Sequence, residues 1–196
     1  MAFFANTGPG GFEPKRQFRF LINFTELSGL TFMATDTTKP SYELGTMPHK
    51  ILNHQFNFPT TVTWSPITVG FIDAIDPNVG SKFYNALRNA GYVNPTSETA
   101  LVTGITKVQS TSTIGEVKIK QLDGGGIILP AGADPGEVLG AVDTTNIVEE
   151  WTLKNAFITK VSFGTLSYAA TEMLKIECGI VYDYATYSGT PTVYAG

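Results

Sequence analysis

Apolar and polar residues alternate in several stretches of the chain. In QFRFLINF, residues 17–24, Phe18, Phe20, Ile22 and Phe24 share one face, while Gln17, Arg19 and Asn23 share the other. A period of two over eight residues predicts a strand. LTFMAT, residues 30–35, is expected to pair with it after a turn near Ser28 and Gly29. TVTWSPITVGF, residues 61–71, predicts a further strand with Val62 and Trp64 on one side. Pro66 marks it as an edge or a bulge. GEVKIKQL, residues 115–122, sets Val117 and Ile119 opposite Lys118 and Lys120. Residues 151–168 hold one or two strands. In TEMLKIECGIVYDYATY, residues 171–187, one row runs Leu174, Ile176, Cys178, Ile180, Tyr182 and Tyr184, and Lys175, Glu177 and Asp183 lie on the face opposite.

One segment has helical spacing. Over residues 76–91, Asp76 can cap, Pro77 fits the first helical position, and Val79, Phe83, Leu87 and Ala90 form an apolar stripe. Gly91 is the expected left-handed stop. Residues 39–59 carry Pro40, Gly45, Pro48 and Pro59, too many breaks for a central strand, and predict a long protruding loop or hairpin. Residues 1–16 read as an N-terminal arm whose Phe3, Phe4 and Phe12 suit docking on a neighbouring subunit. Residues 124–146 read as an acidic, Gly-rich insertion, and residues 186–196 as a C-terminal tail. Roughly six to eight strands with one flanking helix predict a mainly β, antiparallel sandwich or barrel in a single domain.

Composition adds a constraint. Charged residues make up 15% of the 196, against about 25% in an average soluble protein. With 20 glycines and 11 prolines, this points to many turns, or to a surface largely covered by partners. The net charge is −4 and no basic run exists; Lys15, Arg16 and Arg19 are the densest positive spot. That excludes a protein gripping nucleic acid through phosphates. The single cysteine excludes an internal disulfide framework. The first residues lack a basic region and an apolar run of signal-peptide length, and no segment reaches the roughly 20 apolar residues of a membrane helix. A soluble protein is expected.

Catalytic equipment is sparse. His49 and His54 are five residues apart in a non-helical segment, which is no metal-ligand spacing. Gly124, Gly125 and Gly126 precede IILPAG rather than a helix, so no phosphate cradle forms. Cys178 sits inside an apolar row and reads as packing rather than as a nucleophile. Glu149 and Glu150, adjacent in a strand, point to opposite faces. No metal, cofactor or enzymatic activity is expected. Strands, protruding segments and aromatic arms describe an assembly subunit, whose sheet edges would be paired by neighbours. A different class fits the same pattern: a monomeric β-sandwich binding module using Tyr42 and Trp64.

The order of parts resembles the tail tube protein of contractile-tailed bacteriophages. FRFLINF is followed by LTFMATDTTKPSYELGTMPHKILNHQFNFPTTVTW and the FYNALRNAG helix, then by EEWTLKNAFITKVSFGTLSYAATEMLKIECGIVYDYA. Trp151, Leu153, Ala156 and Phe157 fill the start of the later half, and Tyr182, Asp183 and Tyr184 its ending. The resemblance spans residues 17–185, with 124–146 outside its pattern. It implies hexameric rings stacked into a hollow tube, each subunit lending strands to a continuous inner β-barrel. Residues 39–59, with Tyr42, Glu43, Met47, His49, Lys50 and His54, would reach the adjacent ring. Lys175, Glu177 and Asp183 would face the lumen, where a mildly negative wall lets DNA slide without specific binding. Implied partners are further copies of the chain, a tail sheath protein, a tape-measure protein, and baseplate and terminator proteins. The place would be the virion, after assembly in the host cytoplasm. A baseplate tube initiator and a secretion- or injection-system tube subunit share these features.

Overall fold

The computed structural model describes residues 15–96, 104–122, 147–169 and 171–189. The predicted arm residues Phe3, Phe4 and Phe12, the 124–146 insertion and the end of the C-terminal tail lie outside them. The chain is mainly β, and among the described residues every strand pairing is antiparallel. The strands are β1 (Phe20–Phe24), β2 (Ala34–Thr37), β3 (Ser41–Ile51), β4 (His54–Ser65), β5 (Ile67–Ile72), β6 (Val117–Leu122), β7 (Ile147–Lys154), β8 (Phe157–Ser162), β9 (Lys175–Val181) and β10 (Tyr184–Gly189). One four-stranded sheet runs β1-β6-β7-β10, the other β2-β5-β9-β8, and β3 and β4 form a separate two-stranded ribbon.

The two sheets close on one core. Ile22, Phe24, Val117, Ile119 and Leu153 come from the first, and Ile67, Val69, Phe71, Ile176, Cys178 and Ile180 from the second. Alternation accounts for this: in β6 and β9 every second residue is buried. Phe24 and Phe71 meet between the sheets at 6.0 Å. β1 is shorter than the 17–24 pattern suggests. Phe18 is 75% exposed, because the chain turns at Gln17 and Phe18 before pairing begins.

Four expectations need correction. LTFMAT does not pair with β1. Thr31–Met33 is a 3-10 turn and Ala34–Thr37 pairs with β5, while β1 pairs with β6. Leu30, fully buried, anchors the chain as it crosses from one sheet to the other. Second, the described residues hold two helices: α1 (Val79–Asn89) and α2 (Lys107–Ile114). α2 buries only Ile114, so it carries no stripe; the Thr106 side chain caps it by accepting from Gln109 N, and Gly115, at φ +65°, ends it. Third, the row from Leu174 to Tyr184 is split. β9 lies in one sheet and β10 in the other, with Tyr182 and Asp183 as the corner. Fourth, residues 186–189 are strand rather than tail.

α1 begins later than its sequence signals suggest. The helix starts at Val79, after Asp76 and Pro77, whose peptide bond is cis. Asn78 is the cap and accepts from Ser81 N at 2.6 Å. Asp73 accepts from Val79 N and Gly80 N, satisfying further first-turn donors. The end is as read. Gly91, at φ +107°, donates to Arg88 O, and Tyr92 N donates to Leu87 O, which is a Schellman stop. The buried row is Val79, Phe83 and Ala86 with Ala90 at its end, while Leu87 is partly exposed.

Candidate assembly surfaces

The β3–β4 ribbon occupies residues 41–65, where a loop or hairpin was expected over 39–59. Pairing runs from Ser41↔Ser65 to Ile51↔His54. Each strand is an edge strand, where a proline whose missing N–H points outward costs no ladder bond, so Pro48 and Pro59 fit. Leu52 forms the turn with Asn53, is 96% exposed and sits at φ +54°. That backbone region costs a bulky residue about 1–2 kcal/mol.

One irregularity decides how the ribbon presents itself. Leu44 pairs with Val62 and Thr46 with Pro59, so Gly45 faces two residues, Thr60 and Thr61. A Cβ on Gly45 would lie 2.5 Å from Thr60 Oγ1, hence glycine. The bulge inserts one residue into β4 and reverses which side its later side chains take. Below the bulge, Tyr42, Leu44, Val62 and Trp64 share one side. Beyond it, Met47, His49, Ile51, His54, Phe56 and Phe58 share the opposite side. The pairs Met47↔Phe58, His49↔Phe56 and Ile51↔His54 set this arrangement, and the His49 and Phe58 rings meet at 6.4 Å. The six residues expected to reach a neighbour are therefore not one surface. Met47, His49 and His54 belong to the tip stripe. Tyr42 lies on the root side, Lys50 turns away from the stripe, and Glu43 pairs with Thr63 behind the root patch.

The ribbon root is tied to the body in two ways. Trp64 packs on Tyr42 at 5.4 Å and on the buried Tyr182 at 5.9 Å. Lys39, two residues before β3, donates to Glu149 Oε1 at 2.9 Å. Lys15 reaches the same carboxylate through Oε2, and Trp151 Nε1 donates to it at 2.6 Å. Burial pushes the Glu149 carboxyl up, but the hydrogen bonds from Lys15, Lys39 and Trp151 outweigh it and hold the group at about 2. Trp151 itself meets Tyr187 of β10 edge to face at 5.0 Å. Nothing in the local sequence announces this cluster, because its members come from four distant segments.

The expected lumen face is divided. Lys175 and Glu177 share the open side of β9. Glu177 and Ser162 are paired, as are Gly70 and Glu177, and Asp36 and Gly70. Asp36 and Glu177 thus stand on either side of Gly70. Lys160 and Lys175 share this open face, so its described charges balance rather than being negative. Asp183 is elsewhere. It sits at the corner between β9 and β10, where its carboxylate accepts from Lys107 Nζ at 2.8 Å and from Asn155 Nδ2 at 2.8 Å. Those bonds, led by the one from Lys107, hold its carboxyl below the ordinary range. β7 passes into β8 at the same corner through Asn155, at φ +54°. Asp183 closes a structural corner, with the row broken where the chain changes sheets.

Cys178 is fully buried, and burial raises its thiol to about 12, which keeps it protonated and inert. Among the described residues no three His, Cys, Asp or Glu side chains gather to hold a metal. No described helix is long and apolar enough to cross a membrane.

No protein-family model matches the chain. No curated protein matches it by sequence. Solved structures match it in shape. A chain of the anti-feeding prophage baseplate superposes with TM-score 0.60 at 14% identity, covering 91% of this chain and 97% of that one. A chain of the anti-feeding prophage tube-terminating cap gives 0.60 at 15% identity, covering 97% and 100%. A chain of the sheath–tube complex of the extracellular contractile injection system PVC gives 0.56 at 12% identity, covering 90% and 93%. The protein thus has the fold found in chains of contractile-injection tube, cap and baseplate assemblies, over nearly the whole length of each.

Proposed function

We propose that the protein is a structural tube subunit of a contractile-tailed particle. The observation that carries this reading is the β3–β4 ribbon. It presents half-exposed Tyr42, Leu44 and Val62 on one side and Met47, Phe56 and Phe58 on the other, exposed apolar surface of the kind that marks an interaction site. A lone two-stranded hairpin is also marginally stable, so the ribbon needs a partner to cover it. The fold similarity to chains of tube, cap and baseplate assemblies supports the same reading.

In this account, copies form six-membered rings that stack into a hollow tube, and the ribbon joins neighbouring rings. The N-terminal Phe3, Phe4 and Phe12 dock on an adjacent subunit. A contractile sheath surrounds the tube, a tape-measure protein occupies it during assembly, and baseplate and terminator proteins close its ends. In a phage, the chain resides in the virion tail and DNA passes through the lumen, with Lys175 and Glu177 on the lining face. The balanced charge of that face suits sliding, since affinity for DNA comes mainly from clustered cations. A second reading is favoured by the particles in which the similar chains occur: the tube of an extracellular injection system, delivering a cargo other than DNA.

Deleting Gly45 to Asn53 tests the role of the ribbon. The account predicts a folded, soluble chain that no longer stacks in negative-stain micrographs, whereas the full chain does. Tubes of normal length from the deleted chain would refute it.

A further inference from the structure

The two apolar halves of the ribbon lie on opposite sides, so they cannot cover each other within one molecule. We infer that the tip stripe of one copy, centred on Met47, Phe56 and Phe58, packs across the root patch of a second copy's ribbon, formed by Tyr42, Leu44 and Val62. This rests on the tube-subunit reading and gives its ribbon contact a specific geometry. The bulge at Gly45 makes the contact possible. Without it, Phe56 and Phe58 would stand on the root side, across the ribbon from Met47, His49 and Ile51, and no compact tip stripe would form. With it, each copy carries a donor surface and a different acceptor surface. Such a head-to-tail contact propagates into rings or filaments.

Three observations favour a second copy as the occupant. The surfaces match in kind: the root patch and the tip stripe are apolar and free of Lys, Arg, Asp and Glu, because Lys50 and Glu43 both face away from the stripe or patch beside them. They match in extent. The tip residues Met47, Ile51, Phe56 and Phe58 are about half exposed, and with His49 and His54 they offer on the order of 500 Å², a large part of the roughly 800 Å² per partner of a standard interface. Finally, the apex residue Leu52 is almost fully exposed, further apolar surface at the tip that a second copy would cover.

Two variants test this. Met47→Ser with Phe58→Ser removes the tip surface. Leu44→Ser with Val62→Ser removes the root surface. All four side chains are about half exposed, so circular dichroism and thermal unfolding should show folded protein. Each variant alone should require at least about tenfold more protein to assemble than the unmodified chain, read by sedimentation velocity. An equimolar mixture of the two, each purified separately, should form pairs of rings that stop there, since the intact tips of one ring can meet the intact roots of the other. Lys50→Ser with Asn57→Ser, on the tip's other side, should assemble normally. A mixture that stays as single rings, or a tip variant that stacks like the unmodified chain, overturns the inference while leaving the tube reading standing. An unmodified chain that never assembles overturns both.

Discussion

Glu149→Gln tests how the ribbon root and the N-terminal segment are held. In the folded chain one buried carboxylate accepts from Lys15, Lys39 and Trp151, and its pKa falls from 4.5 to about 2. At about 1.4 kcal/mol per pH unit this corresponds to roughly 3 kcal/mol. Lys15 and Lys39 are each nearly half exposed, so water screens their charges and about 2 kcal/mol is the better expectation. The sign follows from the lowered pKa. The contribution is fully present above the ordinary value near 4.5 and is lost as pH falls through about 2. Urea unfolding at pH 7 should therefore show the variant's midpoint lower by about 1 M, taking an m-value of about 2 kcal/mol/M. Near pH 2 the two midpoints should converge. Glu116 and Asp183, whose carboxyls are also lowered by lysine partners, titrate in both proteins and cancel. Equal midpoints at pH 7 would refute the reasoning. A gap as large at pH 2 as at pH 7 would show that something other than the carboxylate charge had been lost.

Other outcomes follow from the same geometry. Gly91→Ala should destabilise the fold by about 1–2 kcal/mol in thermal or urea unfolding, because Gly91 sits at φ +107° and a Cβ would lie 3.0 Å from Gly104 O. Cys178 should react with a thiol reagent such as dithionitrobenzoate only at the rate of unfolding, since it is buried with its thiol raised to about 12; immediate labelling of the native chain would contradict its placement. Glu177→Lys should leave thermal stability within about 0.5 kcal/mol and leave tubes intact, yet slow DNA release from phage particles that carry it. Asp183→Lys should instead lower the unfolding temperature, because it sets a second cation against Lys107 at the corner.

Much of the architecture was legible in the chain. β6 and β9 follow their alternation residue by residue, as a half-buried strand must, and Gly91 ends α1 where a left-handed residue was needed. Sequence reasoning failed where a choice depended on three dimensions. The row from Ile176 to Tyr184 keeps period two across a corner, so nothing in its pattern shows that β9 and β10 belong to different sheets. α2 escaped because its KVQSTSTI sequence has no stripe and is mostly Val, Ser, Thr and Ile, weak helix formers; its cap and Gly115 define it instead. The Glu149 cluster had no local signal at all. The ribbon is a different case. Tyr42 and Leu44 are even-numbered and Met47, His49 and Ile51 are odd-numbered, so the change of apolar parity on either side of Gly45 was readable. Its meaning emerged only with the register to Thr60 and Thr61.

The central claim is that this chain is built to be covered by copies of itself. Electron microscopy of the purified full-length chain, imaged from dilute to concentrated solution, tests it most directly. The account predicts rings of six copies, stacking into hollow tubes as concentration rises, with the β3–β4 ribbon at the contact between copies. A monodisperse monomer throughout that range, with no rings in the micrographs, would contradict it.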